Sequence, residues 1–488
     1  MKALHRCGWR SSPTEARSRH RAPGIGRCLS TAAVAAASGL LSPAALANLD
    51  ALTFQSRIEQ AAANAVQRTY ESLIAVGCTA AQSAETVSCG GDRFSLFEGV
   101  RELVETANQL AGVQGLRQFS LNLDQENLGF ALRWNAAEEF AAQGNSATEF
   151  SNSQLSSLAS RVAALRFATR GTGGGASGDS EGGVKRWGGF INGSFGYGSR
   201  DDTSDPFLMT GSDGNEVGFD FDGQEMTLGV DYRINDSWVV GALGGYTQRK
   251  VDFDSSVSIV DGGIDAEGES FIAFGLWEGE RFYLSGSLGG QWMTYKMERR
   301  ITYPSLNPLI PSTDDTRFSE TDSTALTATF GAGYTRSVNA FGFELFAHGD
   351  YQDITIDGFA EEVGGGHELT IGDQTIESLE LAAGLDLHYV FRPRFGVFRP
   401  YLRGEFRKEL EGAIRTISSF YSSVDGAGAG GTDFSLDTDD PDDDYVLATA
   451  GFSVVFPNGL QGYVQYQQVF DLDFYDDRVI GGGVRFEF

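Results

Sequence analysis

Beyond residue 47 the chain has no apolar run of about 18 residues, the minimum for a membrane-spanning helix. That excludes a helical membrane protein but not a β-barrel, whose alternating strands escape hydropathy windows. Histidine is also scarce. Of five in the chain, only His348, His367 and His388 lie beyond residue 47, and residues 48–170 contain none. No Ser-His-Asp or Cys-His triad can therefore be built within that segment alone, which also lacks a G-x-S-x-G turn. Walker loops, dinucleotide fingerprints and zinc-ligand spacings are missing throughout, so no cofactor or metal is expected. Only two cysteines, Cys78 and Cys89, follow residue 47. In an exported chain so close a pair is expected to form a disulfide.

Residues 1–47 differ from everything after them. Lys2, Arg6, Arg10, Arg17, Arg19, Arg21 and Arg27 face one acid, Glu15. A short apolar stretch over 29–41 then leads to Ala45-Leu46-Ala47. This is the order of a secretory signal peptide. Its removal takes seven basic groups and one acidic group away, moving the net charge from −29 to −35. So acidic a chain is a poor partner for nucleic acid.

Residues 48–144 carry helical patterning. Apolar spacing predicts helices over 52–76, 94–110 and 124–143, and a further one over 147–170 in which Leu155, Leu158, Val162 and Leu165 recur at helical intervals. Residues 145–170 read as a linker or lumen helix, and 171–185 as a flexible Gly-rich linker. From 186 to 488 the period becomes two. Strands are predicted at 186–199, 217–233, 237–251, 266–278, 281–302, 318–337, 341–357, 374–391, 395–411, 444–456, 460–470 and 475–488.

In these strands one face is apolar and the other carries charge. Leu381, Ala383, Leu385 and Leu387 alternate with Glu380, Asp386 and His388. Phe343, Leu345 and Ala347 alternate with Glu344, His348 and Asp350; Met226, Leu228 and Val230 alternate with Glu225, Asp231 and Arg233. Arg399, Arg403 and Arg407 share the inner face of another strand. So many charges would be ruinous in a dry core and are ordinary in a barrel lumen. The connections alternate long and short, except the last, 471–474. Barrels in outer membranes show this asymmetry, with tight periplasmic turns and long external loops. The fold class is thus an all-β transmembrane barrel of 12 antiparallel strands, preceded by a small α-helical N-terminal region. Aromatics such as Trp187, Trp238, Trp277, Trp292, Tyr389 and Phe391 near the strand ends read as interfacial girdles. The chain closes on Val484, Phe486 and Phe488 with apolar groups on one face.

A helix, a linker and twelve strands ending on Phe resemble the translocator domain of autotransporters, the type V secretion proteins. The resemblance covers about 145–488. It implies a barrel in the outer membrane of a Gram-negative bacterium that anchors, and can export, its own N-terminal region. It also implies that Val484, Phe486 and Phe488 are the signal read by the barrel-assembly machinery. In the serine-protease branch of that family a pre-barrel helix carries a pattern like Asn-Asn-Leu-x-x-Arg-Met-x-x-Leu-Arg. Here Leu158, Arg161, Leu165 and Arg166 match, and Val162 replaces the Met. The Asn pair whose cyclisation releases the passenger is replaced by Ser156 and Ser157, which cannot form a succinimide. The N-terminal region is therefore expected to stay attached.

The linker permits the helix inside the lumen or outside it, with the lumen preferred. Arg166 would there meet lumen carboxylates. His348 beside Asp350, and His388 beside Asp386, could serve a barrel hydrolase, but satisfied lumen polar groups are the better reading. The three arginines could select anions in an open pore, although pairing with carboxylates is preferred. The acidic stretch 433–444 lacks calcium-loop spacing and reads as a solvated loop. The leading expectation is a non-enzymatic, monomeric autotransporter-type barrel in contact with outer-membrane lipid and lipopolysaccharide, with its surface ligand unknown. The alternative is a porin-like channel with a periplasmic helical domain.

Overall fold

A computed structural model describes residues 49, 52–79, 89–113, 115–136, 138–171, 186–203, 218–253, 260–394, 396–412, 414–424, 434–438 and 444–488. Of residues 157, 160, 161, 164 and 167–171 it describes the backbone alone. The expected signal peptide 1–47, residues 172–185 of the expected linker and half of the acidic stretch 433–444 lie outside the described residues.

The strands, in chain order, begin with β1 (Trp187–Arg200), β2 (Phe219–Arg233), β3 (Trp238–Phe253) and β4 (Asp261–Glu278). They continue with β5 (Phe282–Tyr303), β6 (Thr313–Val338), β7 (Phe341–Ile356), β8 (Phe359–Ala360), β9 (Leu369–Ile371) and β10 (Gln374–Tyr389). The last six are β11 (Val397–Glu409), β12 (Thr416–Tyr421), β13 (Phe434–Asp437), β14 (Asp444–Val455), β15 (Gln461–Phe470) and β16 (Tyr475–Glu487). All but β8, β9, β12 and β13 close into one twelve-stranded antiparallel barrel, with β1 paired to β16. The remaining four form a separate sheet in the order β13-β12-β9-β8, built from the connections between β7 and β10 and between β11 and β14. Sequence patterning takes those connections as loops. They become strands because residues far apart meet, as when Ser419 pairs with Ile371.

On β5 the outward Phe282, Leu284, Leu288 and Trp292 are exposed, and beyond them Lys296, Glu298 and Arg300. Ten residues of tilted strand make an apolar belt of about 25 Å, the height a bilayer requires. Past the belt, β5 and β6 run on towards the long-loop end. At the other end the turns are tight. Asn339 takes φ 57° between β6 and β7, a left-handed conformation that asparagine tolerates.

Among the described residues four α-helices precede the barrel. The first, α1 (Arg57–Ala75), starts with a capping box in which Ser56 and Glu59 bind each other's backbone. The second, α2 (Asp92–Ala111), ends at Gly112 with φ 68°. Next come α3 (Gln125–Arg133), capped by Asp124, and α4 (Ala141–Gly171). The single helix predicted over 124–143 is therefore broken. The Asn135 side chain folds back to donate to the Ala131 carbonyl at 2.8 Å, and Arg299 of β5 donates to the Trp134 carbonyl at 3.1 Å, so a local side-chain bond and a tertiary one together override helix propensity.

Candidate functional site: a helix threaded through the lumen beneath a docked cap

Helix α4 threads the barrel. Its polar side chains reach inward-facing partners on strands all round the wall. Ser151 donates to Gln291 of β5 at 2.8 Å, Gln154 to Glu225 of β2 at 2.5 Å, and Ser156 to Gln467 of β15 at 3.0 Å. Gln352 of β7 donates to Asn152 at 2.6 Å. Near the tight-turn end, Arg166 makes a two-pronged bond to Glu344 at 2.7 and 2.8 Å and a third to Thr335 at 2.7 Å. Tyr283 donates to the same carboxylate at 2.8 Å, and its ring lies 3.4 Å beneath the guanidinium. Planar guanidinium-carboxylate pairing of this kind fixes both position and orientation.

The lumen has two unlike walls, where sequence reasoning expects a uniformly ionic one. Leu158, Val162 and Leu165 of α4 pack with Val239, Leu243, Ile272, Phe274 and Leu276 of β3 and β4, and with Phe190 and Phe346. These inner residues were illegible because β3 opens Trp-Val-Val, apolar on both faces. The opposite wall, chiefly β10 and β11, is ionic. Arg399 bonds Asp386 at 2.7 Å, which also holds His388 at 2.7 Å. Arg403 bonds Glu405 at 2.5 Å, and His348 bridges Asp350 at 3.0 Å and Glu405 at 3.2 Å. Arg407 joins Glu380 at 2.5 Å and Glu405 at 3.1 Å. Both histidines thus sit among carboxylates and arginines, and among the described residues no Ser, Thr or Cys hydrogen-bonds to either ring.

Asp231 takes Arg485 of β16 at 2.8 Å across β1, a path open because Gly188 lies between: a Cβ there would sit 2.4 Å from the arginine. Arg233 shares the inward parity of Asp231 and is half-buried at the end of β2. The Arg161 side chain lies outside the described residues. Val484, Phe486 and Phe488 point outward and are exposed.

At the long-loop end, α1, α2 and α3 pack into one hydrophobic core with the strand extensions and the loop sheet. Cys78 and Cys89, joined in a disulfide, belong to it. Arg299, which is fully buried, is the keystone of this junction. It binds Glu361 at 2.7 and 2.6 Å, the His367 carbonyl at 3.0 Å and the Trp134 carbonyl of the helical region. Asn307, in the loop after β5, donates to the Gln118 and Ser120 carbonyls at 3.1 and 2.7 Å. His367 lies against α2 so closely that only a glycine, Gly99, fits opposite: a Cβ would be 2.7 Å from its ring. Burial holds this imidazole down to about 4, so it is uncharged at neutral pH. Neither Arg299 nor His367 carried a motif; only their non-local partners reveal them.

A family model described as the autotransporter beta-domain matches residues 189–467, more than half of the chain. Among solved structures, the translocator domain of autotransporter NalP from Neisseria meningitidis aligns with a TM-score of 0.50 at 14% identity, over 72% of this chain and 100% of that one. That likeness shows the fold. The esterases EstA of Pseudomonas aeruginosa and Pseudomonas putida are each 24% identical over 278 residues, covering 55% of this chain. The match spans 38% of either relative's length.

Proposed function

The chain belongs to the autotransporter β-domain family, and from that premise we propose that this outer-membrane barrel exports its own short helical region and then keeps it as a cap. The observation that carries this reading is the single core shared by α1–α3 and the long-loop end of the barrel. A passenger destined for release would have no reason to bury Leu96, Leu103 and Leu132 together with Ile301, Ile356 and Ile371 of the barrel strands and loop sheet. The outward apolar faces meet lipid, the charged faces beyond the belt meet lipopolysaccharide, and Val484, Phe486 and Phe488 present the signal for barrel assembly. The barrel is a monomer. It catalyses nothing: the esterase activity named for the two relatives belongs to chains far longer than the matched part, and residues 48–170 here lack histidine.

Retention has a direct readout. Outer membranes from cells expressing the full chain are expected to yield one product that runs from the signal-peptide junction to Phe488. Immunoblotting with tags at residue 50 and at the C-terminus measures it. A barrel fragment beginning near Ser157 would show that the cap is released and would contradict the proposal.

A further inference from the structure

Helix α4 does not fill the lumen. Its apolar stripe sits on the wall formed by β3 and β4, with Tyr283 and Phe346 beside it. Towards the opposite wall, among its described side chains, it offers Ser156, Ala159 and Ala163, which are too small to span the gap. Above this level, towards the long-loop end, lies a cavity of about 850 Å³ beside the helix, floored by Ser156, Glu380, Arg407, Tyr445 and Gln467. Below it the space shrinks to about 40 Å³, between Ala159 and Ala163 on one side and Arg403, Glu405 and Arg407 on the other. A void that size holds a few waters at most and passes no hydrated ion.

What narrows it is the inner face of β11. Arg399, Tyr401, Arg403, Glu405 and Arg407 follow at every second residue, so the row runs about 26 Å along the tilted strand and rises through roughly 20 Å, most of the belt height. Its carboxylate partners come from β10 and from β11 itself. Asp386 faces Arg399, Glu405 lies between Arg403 and Arg407, and Glu380 faces Arg407 with a further bond from Tyr445 at 2.5 Å. Long side chains crossing to paired partners occupy the half of the lumen that the helix leaves.

We propose that the ion seal of this barrel is a two-part device in which α4 closes the apolar half and the β11 arginine row, locked to its carboxylates, closes the other. The row is a gate with a built-in charge signature. Opening it by removing arginines leaves a path lined by acids; opening it by neutralising acids leaves one lined by arginines.

The test uses the full chain, cap and helix in place, in planar bilayers under a KCl gradient. Arg403→Ala with Arg407→Ala is expected to turn the silent wild type into a channel with small steps and a cation-selective reversal potential. Asp386→Asn with Glu405→Gln is expected to give steps with the opposite sign of reversal potential. Heat-shifted gel migration confirms that each variant retains its barrel. Silence of both folded variants would show that the helix alone seals the lumen and would overturn the proposal. So would steps as large as those of a helix-free barrel with one selectivity in both, because the helix would then have been unseated.

Discussion

Deleting residues 49–170, cap and lumen helix together, is expected to convert a silent barrel into an open pore. Twelve strands enclose a lumen wider than the eight-stranded kind that side chains fill, and narrower than the sixteen-stranded kind that conducts freely. In this chain α4 occupies half of that width, held by Leu158, Val162 and Leu165 against an apolar slot and by Arg166 on Glu344. With the helix gone, the arginine row covers only its own side. Single-channel steps at least about tenfold above any wild-type activity are expected from the freed cross-section. Reconstituted deletion protein that still migrates as a heat-shifted barrel yet stays silent would show that the wall collapses or that the row spans the lumen alone.

The second large effect concerns Arg299. Replacing it with alanine leaves Glu361, which is 3% exposed, without its two-pronged partner and strips a donor from the carbonyls of Trp134 and His367. Breaking a buried ion pair by removing one partner costs about 3–5 kcal/mol, a factor of roughly a hundred to a few thousand in the population of the open state. The cap should therefore lift from the rim. Proteinase K added to the purified protein in detergent is expected to cut residues 52–136 at least about a hundredfold faster in Arg299→Ala. The barrel fragment should remain heat-shifted. The neighbouring Arg300 supplies the control. It points outward and pairs with Asp261 at 3.0 Å and Asp314 at 3.3 Å on the exposed face, where solvent screens both pairs, so Arg300→Ala should be digested at close to the unaltered rate. Equal digestion of the two variants would mean that the junction is held by apolar burial alone.

How much of this was visible in the amino acids depends on whether the signal was local. Twelve strands were legible because each alternates by itself: Leu381, Leu385 and Leu387 outward, Glu380 and Asp386 inward, with no help from distant residues. Loop lengths told the two barrel ends apart. The strands β8, β9, β12 and β13 were not legible, since pieces as short as Phe359–Ala360 show no period and exist only through pairing, Ala360 with Thr370 and Ser419 with Ile371. The break after α3 escaped notice for the same reason, because a β5 arginine bonds the Trp134 carbonyl. Arg166 on Glu344 was one of several pairings the pattern allowed, and only the fold chooses between them. The apolar wall was hidden in β3, whose Val239 and Val240 look alike until the sheet assigns one to the helix and the other to lipid.

If the proposed export holds, the helical region lies on the cell-surface side of the outer membrane, docked on the rim of its own barrel. Arg117 is exposed on that region, and Cys78 and Cys89 are tied up in their disulfide, so Arg117→Cys adds one reactive thiol where the unaltered chain offers none after residue 47. A membrane-impermeant maleimide is expected to label this variant on intact cells as fully as on cells with a permeabilised outer membrane. Labelling that appears only after permeabilisation would place the helices in the periplasm and contradict the account.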